Sequence, residues 1–219
     1  MINTLRFSTI LALFSFGGCN GDDVVGTGPN ITRALDVDAF NELFVNGSYD
    51  ISITQGDSLE VSATGQANVI DVINTAVANQ RWNLSYTVNN VQSDDLSITI
   101  TVPTLSRIES DGSADVTLGA FTDQNTFLID INGSGSYNVT APWTDLESLS
   151  LSIKGSGDIN GFPFNAEDVT VVIDGSGEID VTASSKLDIS IDGSGTVRYK
   201  GAPVITQSIS GSGNIIDAN

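Results

Sequence analysis

From Phe127 onward apolar and polar residues alternate, and the same three residues interrupt the alternation at near-regular intervals. Phe127, Ile129 and Ile131 lead to Gly133-Ser134-Gly135, and Leu149, Leu151 and Ile153 lead to Gly155-Ser156-Gly157. Val169, Val171 and Ile173 lead to Gly175-Ser176-Gly177, and Leu187, Ile189 and Ile191 lead to Gly193-Ser194-Gly195. A last copy, Gly211-Ser212-Gly213, follows Ile209, and an imperfect earlier one, Glu-Ser-Asp-Gly-Ser, begins at Glu109. A period of two puts every second side chain on one face of a strand. After each glycine pair comes a second short strand, such as Tyr137–Val139 or Glu178–Val181.

The first glycines fall at 112, 133, 155, 175, 193 and 211, in steps of 21, 22, 20, 18 and 18. A repeat this short leaves no room for a crossover helix. Each unit is a strand, a corner and a strand that cannot bury its apolar face alone and must stack on its neighbours. The expected fold is all-β: a right-handed parallel β-helix, or solenoid, of about six Gly-Ser-Gly-cornered coils. The corner needs backbone angles open chiefly to glycine, and close stacking excludes a Cβ. The serines should form a column whose hydroxyls bond along the stack or back to the turn. A phosphate-binding loop is set aside, because that motif needs one strand, one loop and a following helix.

The N-terminal half is rich in strands and belongs to the same body. Strands are expected around Glu42–Val45, Ser48–Gln55, Ser58–Ala63, Trp82–Val88 and Leu96–Pro103, with a tight hairpin at Gln55-Gly56-Asp57. Residues 66–80 fit a short helix through Val69, Val72, Ile73 and Val77. They also fit a helical turn followed by a strand through Ile73, Thr75 and Val77, which is preferred.

Charge and composition narrow the chemistry. Eight Lys+Arg against 27 Asp+Glu give a net charge of −19, a surface that repels nucleic acid. There is no histidine, which removes the commonest general base and every Ser-His or Cys-His pair. The single cysteine, Cys19, excludes an internal disulfide and a multi-cysteine metal site. Calcium is the closest cofactor rival, since Asp158, Asp174, Glu178, Asp180 and Asp192 crowd the corners. A ligand column should repeat, however. The positions flanking the glycines wander through Ser136, Asp158, Glu178, Thr196 and Asn214, so no cofactor is expected.

The first residues are an address. Arg6, an apolar run Phe7–Phe16 and small Gly17-Gly18 before Cys19 read as a signal peptide over 1–18. The ending resembles a bacterial lipobox, with Phe16 where leucine is usual, and implies lipidation of Cys19 and a membrane anchor. Asn20 after the cysteine resembles outer-membrane sorting, and Asp22-Asp23 resembles a surface-export tether. Residues 19–32 then form the lipidated cysteine and linker, and 33–219 a single domain.

Within that domain, Arg33–Ile70, Leu96–Val116 and the Gly-Ser-Gly ladder closing on Tyr199-x-Gly201-x-Pro203 resemble the bacterial head GIN domain family, described as auto-transporter adhesin heads. The resemblance implies an exported β-helix, often a lipoprotein, and brings no catalytic residues. The expected function is therefore a non-enzymatic cell-envelope lipoprotein presenting an extended surface to glycan or protein. Tyr137, Trp143, Phe162, Phe164 and Tyr199 are candidate contacts, with plugging of the coil as their alternative role. Two other functions stay open. One is a polysaccharide-degrading β-helix enzyme using a carboxylate pair such as Asp158 and Glu178. The other is a structural or assembly role with self-association through an open coil end.

Overall fold

The computed structural model describes residues 23–92 and 95–219; the signal peptide and Cys19 lie outside them. In its first half the chain runs through β1 (Asp23–Val25), β2 (Asn30–Ala34), β3 (Glu42–Gly47), β4 (Asp50–Gln55), β5 (Glu60–Gln66), α1 (Ala67–Ile70), β6 (Val77–Ala78), β7 (Arg81–Leu84), β8 (Asn90–Gln92) and β9 (Ser97–Val102). It continues through β10 (Arg107–Gly112), β11 (Asp115–Leu118), β12 (Thr126–Gly133), β13 (Ser136–Val139), β14 (Trp143–Gly155), β15 (Asp158–Gly175), β16 (Glu178–Gly193), β17 (Thr196–Lys200), β18 (Val204–Gly211) and β19 (Asn214–Asp217).

These strands form a β-solenoid with two long walls. Segments that precede a corner stack parallel as β7, β3, β10, β12 and β14, then the second halves of β15 and β16, then β18. Segments that follow a corner stack as β9, β4, β11 and β13, then the first halves of β15 and β16, then β17 and β19. The two walls meet at the glycine column. A third side, irregular where β14, β15 and β16 shift register, returns the chain to the next coil.

Between the walls each coil contributes inward residues that are almost fully buried. Val169, Val171 and Ile173 in one coil are 2%, 0% and 1% exposed, and Leu187, Ile189 and Ile191 in the next are 0%, 3% and 1%. At about 1.5–3 kcal/mol for each such side chain, a coil offsets much of its ordering entropy only while a neighbour covers it. The cluster is continuous from Phe40 to Val197.

The glycine column has one member that the repeat analysis does not count. Gly47 pairs with Gly112, which pairs with Gly133, so the column begins at Gly47. Its sequence signal, Val45-Asn46-Gly47-Ser48-Tyr49, is a degenerate copy of Ile131-Asn132-Gly133-Ser134. The Gln55-Gly56-Asp57 hairpin is corrected. β4 and β5 do not pair; β9 lies between them, parallel to β4 and antiparallel to β5, with β2 antiparallel on the far edge of β5. A polar turn reverses the chain, but Ile98 and Ile100 of β9 face the core beside Ile51 and Ile53, and burying all four outweighs a local pairing. Residues 66–80 take the turn-then-strand form. α1 is four residues long, Ile73 bridges Tyr86, and β6 lies antiparallel on β7.

Candidate binding surface

The corner is built mainly from the backbone. The Ser176 N–H donates to the Gly155 carbonyl (2.8 Å), and the Glu178 N–H donates to the Gly157 carbonyl (3.2 Å). The same pair of bonds recurs from Ser156 and Asp158, from Ser194 and Thr196, and from Ser212 and Asn214. The two glycines do different jobs. The first, as at Gly175 (φ +134°), holds a conformation L-residues avoid directly over the carbonyl of Gly155. The second has no room: a Cβ on Gly177 would come within 2.6 Å of the Gly157 oxygen and 2.8 Å of Ile153 Cγ2. Ser134, Ser156, Ser176, Ser194 and Ser212 between them are exposed. Their main-chain N–H groups carry the ladder. They form a solvent-facing ridge.

Beside the ridge the second wall presents two outward columns in strict register. One runs Asp50, Asp115, Ser136, Asp158, Glu178, Thr196 and Asn214. The other runs Ser52, Thr117, Asn138, Asn160, Asp180 and Arg198. Neighbouring positions are about 4.8 Å apart. The exposed members of these columns offer carboxylates, amides and hydroxyls, while Asp180 is buried. Their signal lies in the polar half of each alternation, which emerges only when the copies are aligned on the glycines.

Arg198 ties one end of this surface together. Its Nε donates to Asp180 Oδ1 (2.6 Å), its Nη2 to Oδ2 (3.2 Å), and it lies 3.4 Å from Glu178 Oε2. Asp180 holds the Arg198 pKa above the ordinary guanidinium value, with help from Glu178 and Asp158. Of the carboxylate pair considered for glycoside cleavage, Glu178 faces Arg198, and Asp158 Oδ1 accepts the Glu178 N–H (3.3 Å). Among the described residues no group of three or more acidic or cysteine side chains is arranged to hold a metal ion.

The aromatic candidates divide. Tyr137, Trp143 and Phe164 are 0% exposed and are removed from the contact surface. Trp143 packs at a tilt against Phe121 and Phe127 at 4.5 Å and edge-to-face against Phe164 at 5.1 Å, and its Nε1–H donates to the Gly119 carbonyl (2.8 Å). These rings fill the wide third side, where β-branched residues are too small. Burial pushes the Tyr137 hydroxyl pKa up, with the Ser110 hydroxyl as its polar neighbour. Neither oxygen has a partner of full hydrogen-bond geometry.

Phe162 and Tyr199 remain at the surface, each half-buried. The Lys200 ammonium sits over the Phe162 ring at 4.4 Å. The Tyr199 phenol is raised by partial desolvation and by Asp217. Asp217 is lowered by bonds from Asn219, whose side chain also clips Gly201 at 2.9 Å.

A cleft of about 420 Å³ opens at the far end of the second wall, where Leu35, Asp36 and Val37 pass over β5 and β9. It is shallow and half polar.

Comparisons with known proteins agree with this architecture. Residues 39–148 and 144–203 match the family described as "putative auto-transporter adhesin, head GIN domain". Among solved structures, a putative adhesin from Bacteroides fragilis NCTC 9343 is 27% identical with a TM-score of 0.71, covering 88% of this chain and 98% of its own. A putative lipid binding protein from Parabacteroides distasonis ATCC 8503 is 23% identical with a TM-score of 0.60, covering 89% and 100%. A putative adhesin from the same strain is 21% identical with a TM-score of 0.54, covering 89% and 99%. No match is found among curated proteins. The two family matches span most of the solenoid, from Ala39 before the first coil to Pro203 before the last, and the chain belongs to the head GIN domain family.

Proposed function

We propose that this chain is a non-enzymatic adhesin of the cell envelope, held to the outer membrane by a lipidated Cys19, and that the second wall binds glycan or protein. One observation carries the reading. Asn138 and Asn160 stand in register beside Asp115, Asp158 and the exposed serine ridge, on a wall whose polar positions change in residue but keep one step from coil to coil. Amides, carboxylates and hydroxyls at a regular step suit an extended polyhydroxylated chain, which meets a hydrogen-bonding group at each coil. Solenoid walls serve as such surfaces in repeat proteins generally. Family membership supports a surface or envelope location.

The test is capture on a panel of glycans and envelope extracts by wild type and by Asn138→Ala/Asn160→Ala. Both side chains are exposed, so the variant keeps its fold. A fall in capture of about tenfold or more, or roughly 1.4 kcal/mol, supports the reading, and unchanged capture by the double variant removes it. Protease treatment of intact cells separates a surface location from a periplasmic one. Cys19→Ser should abolish incorporation of labelled fatty acid and release the protein from membranes.

A further inference from the structure

The two ends of the solenoid differ. At the N-terminal end the core is sealed: Trp82 and Leu84 of β7 and Val69 of α1 are each 0% exposed, and β6 lies along β7. At the other end none of the described residues covers the last coil. Every residue of β18 is exposed, and the side chains that continue the inward columns, Ile205 above Leu187 and Ile209 above Ile191, are 36% and 41% exposed. Val204, at 73%, extends the apolar rim.

One edge of β18 is taken by β16, and among the described residues no strand pairs with its other edge, which leaves N–H and C=O groups unpaired there. Exposed edges are ordinarily blunted by charge, proline or a bulge. β18 has none of these, and residues 201–216 contain no charged side chain in a protein of net charge −19.

That distribution selects the occupant. Two bodies this acidic repel each other over most of their surface; the uncharged stretch 201–216, with Asp217 the one acidic residue of the last coil, is where they approach at least cost. The sealed N-terminal end offers no matching open core, so a head-to-tail filament has nothing to build on, whereas a two-fold contact joins open end to open end. We propose that the last coil docks a second copy of this chain tail to tail, with β18 antiparallel to the β18 of that copy. A register centred on Gln207 sets Ile205 of each chain against Ile209 of the other. It also keeps Ile205, Gln207 and Ile209 of both chains on the inward face, so the two cores become continuous. The contact does not depend on what the second wall binds.

The experiment is sedimentation of the chain from Asn20 onward, which keeps every described residue, over a concentration series with added salt. Wild type should pass from monomer to dimer within about the 1 µM–1 mM range, and salt should favour the dimer by screening the acidic bodies. Ile205→Lys and Ile209→Lys, at exposed positions, should keep the wild-type circular dichroism and remain monomeric throughout. Hydrogen exchange gives a readout without variants: β18 amides should be protected in concentrated wild type and exchange on dilution. A wild-type monomer at all concentrations, a dimer that survives both substitutions, or β18 amides indifferent to concentration would each overturn the proposal.

Discussion

Replacing Gly175 by alanine puts the stacking argument to its hardest test. The residue sits mid-column at φ +134°, and an added Cβ would overlap the Gly155 carbonyl oxygen and lie 3.0 Å from its carbon. That oxygen already accepts the Ser176 N–H at 2.8 Å, so it cannot move aside without breaking the ladder. Two costs combine. Holding a non-glycine residue in this backbone region costs about 1–3 kcal/mol, and forcing a methyl into a packed contact costs about 1–3 kcal/mol more. A total near 4 kcal/mol corresponds to a fall in Tm of roughly 8–16 °C for a domain of this size. The control is Gly28→Ala. Its φ is +85°, but nothing lies within 4 Å of the new methyl, so only the backbone cost of about 1–2 kcal/mol remains. Gly211→Ala should fall between, because its coil is the last and can lift away from Gly193. Thermal and urea unfolding followed by circular dichroism measures all three. If Gly175→Ala costs no more than Gly28→Ala, the corner is not held by close backbone stacking.

Other outcomes follow from the core and from Arg198. Trp143→Ala empties the centre of the aromatic cluster and should cost about 3–5 kcal/mol in urea unfolding, while glycan capture by the folded fraction stays unchanged. Tyr137→Phe removes a buried hydroxyl with no well-formed partner and should be near neutral, within about 1 kcal/mol of wild type; a larger loss would show that the contact with Ser110 is a real bond. Arg198→Gln strips a buried Asp180 of both donors and should cost about 1–3 kcal/mol, less when Asp180→Asn is combined with it. The Asp217 pKa is depressed in the fold, so its stabilisation of the C-terminal clip is complete above the ordinary aspartate pKa and lost as pH falls through the lowered value. The protection of the Gly201 amide, its exchange rate relative to the intrinsic rate at the same pH, should therefore fall on acidification, and Asp217→Asn should flatten that response.

The walls were legible in the sequence because period-two alternation and a fixed glycine interval are local signals. Leu149, Val169 and Leu187 announce the same inward column by position alone, and the structure stacks them in register. Two things were not local. Whether Gly56 closes a hairpin depends on a third strand, β9, arriving some forty residues later. Whether an aromatic side chain near a turn faces water or core depends on the width of the third side, which alternation does not report. Trp143 and Phe164 went inside because that side is wide there. Gly47 was readable in principle, but it stands 65 positions before Gly112 and so falls outside a period of about twenty.

The long excursion between Gly47 and Gly112 has a consequence for how the chain acquires its shape. In the later coils, partners lie only 18–22 positions apart, and each coil winds on a surface already made. The first coil is different: β3 is held by β7 on one side and β10 on the other, so its closure spans 65 positions. Loop-closure entropy makes that the slow event. The segment from Phe40 to Leu118 is therefore the template, and everything after it winds on in sequence order. A chain delivered N-terminus first across a membrane would have its template complete before its last coils emerged.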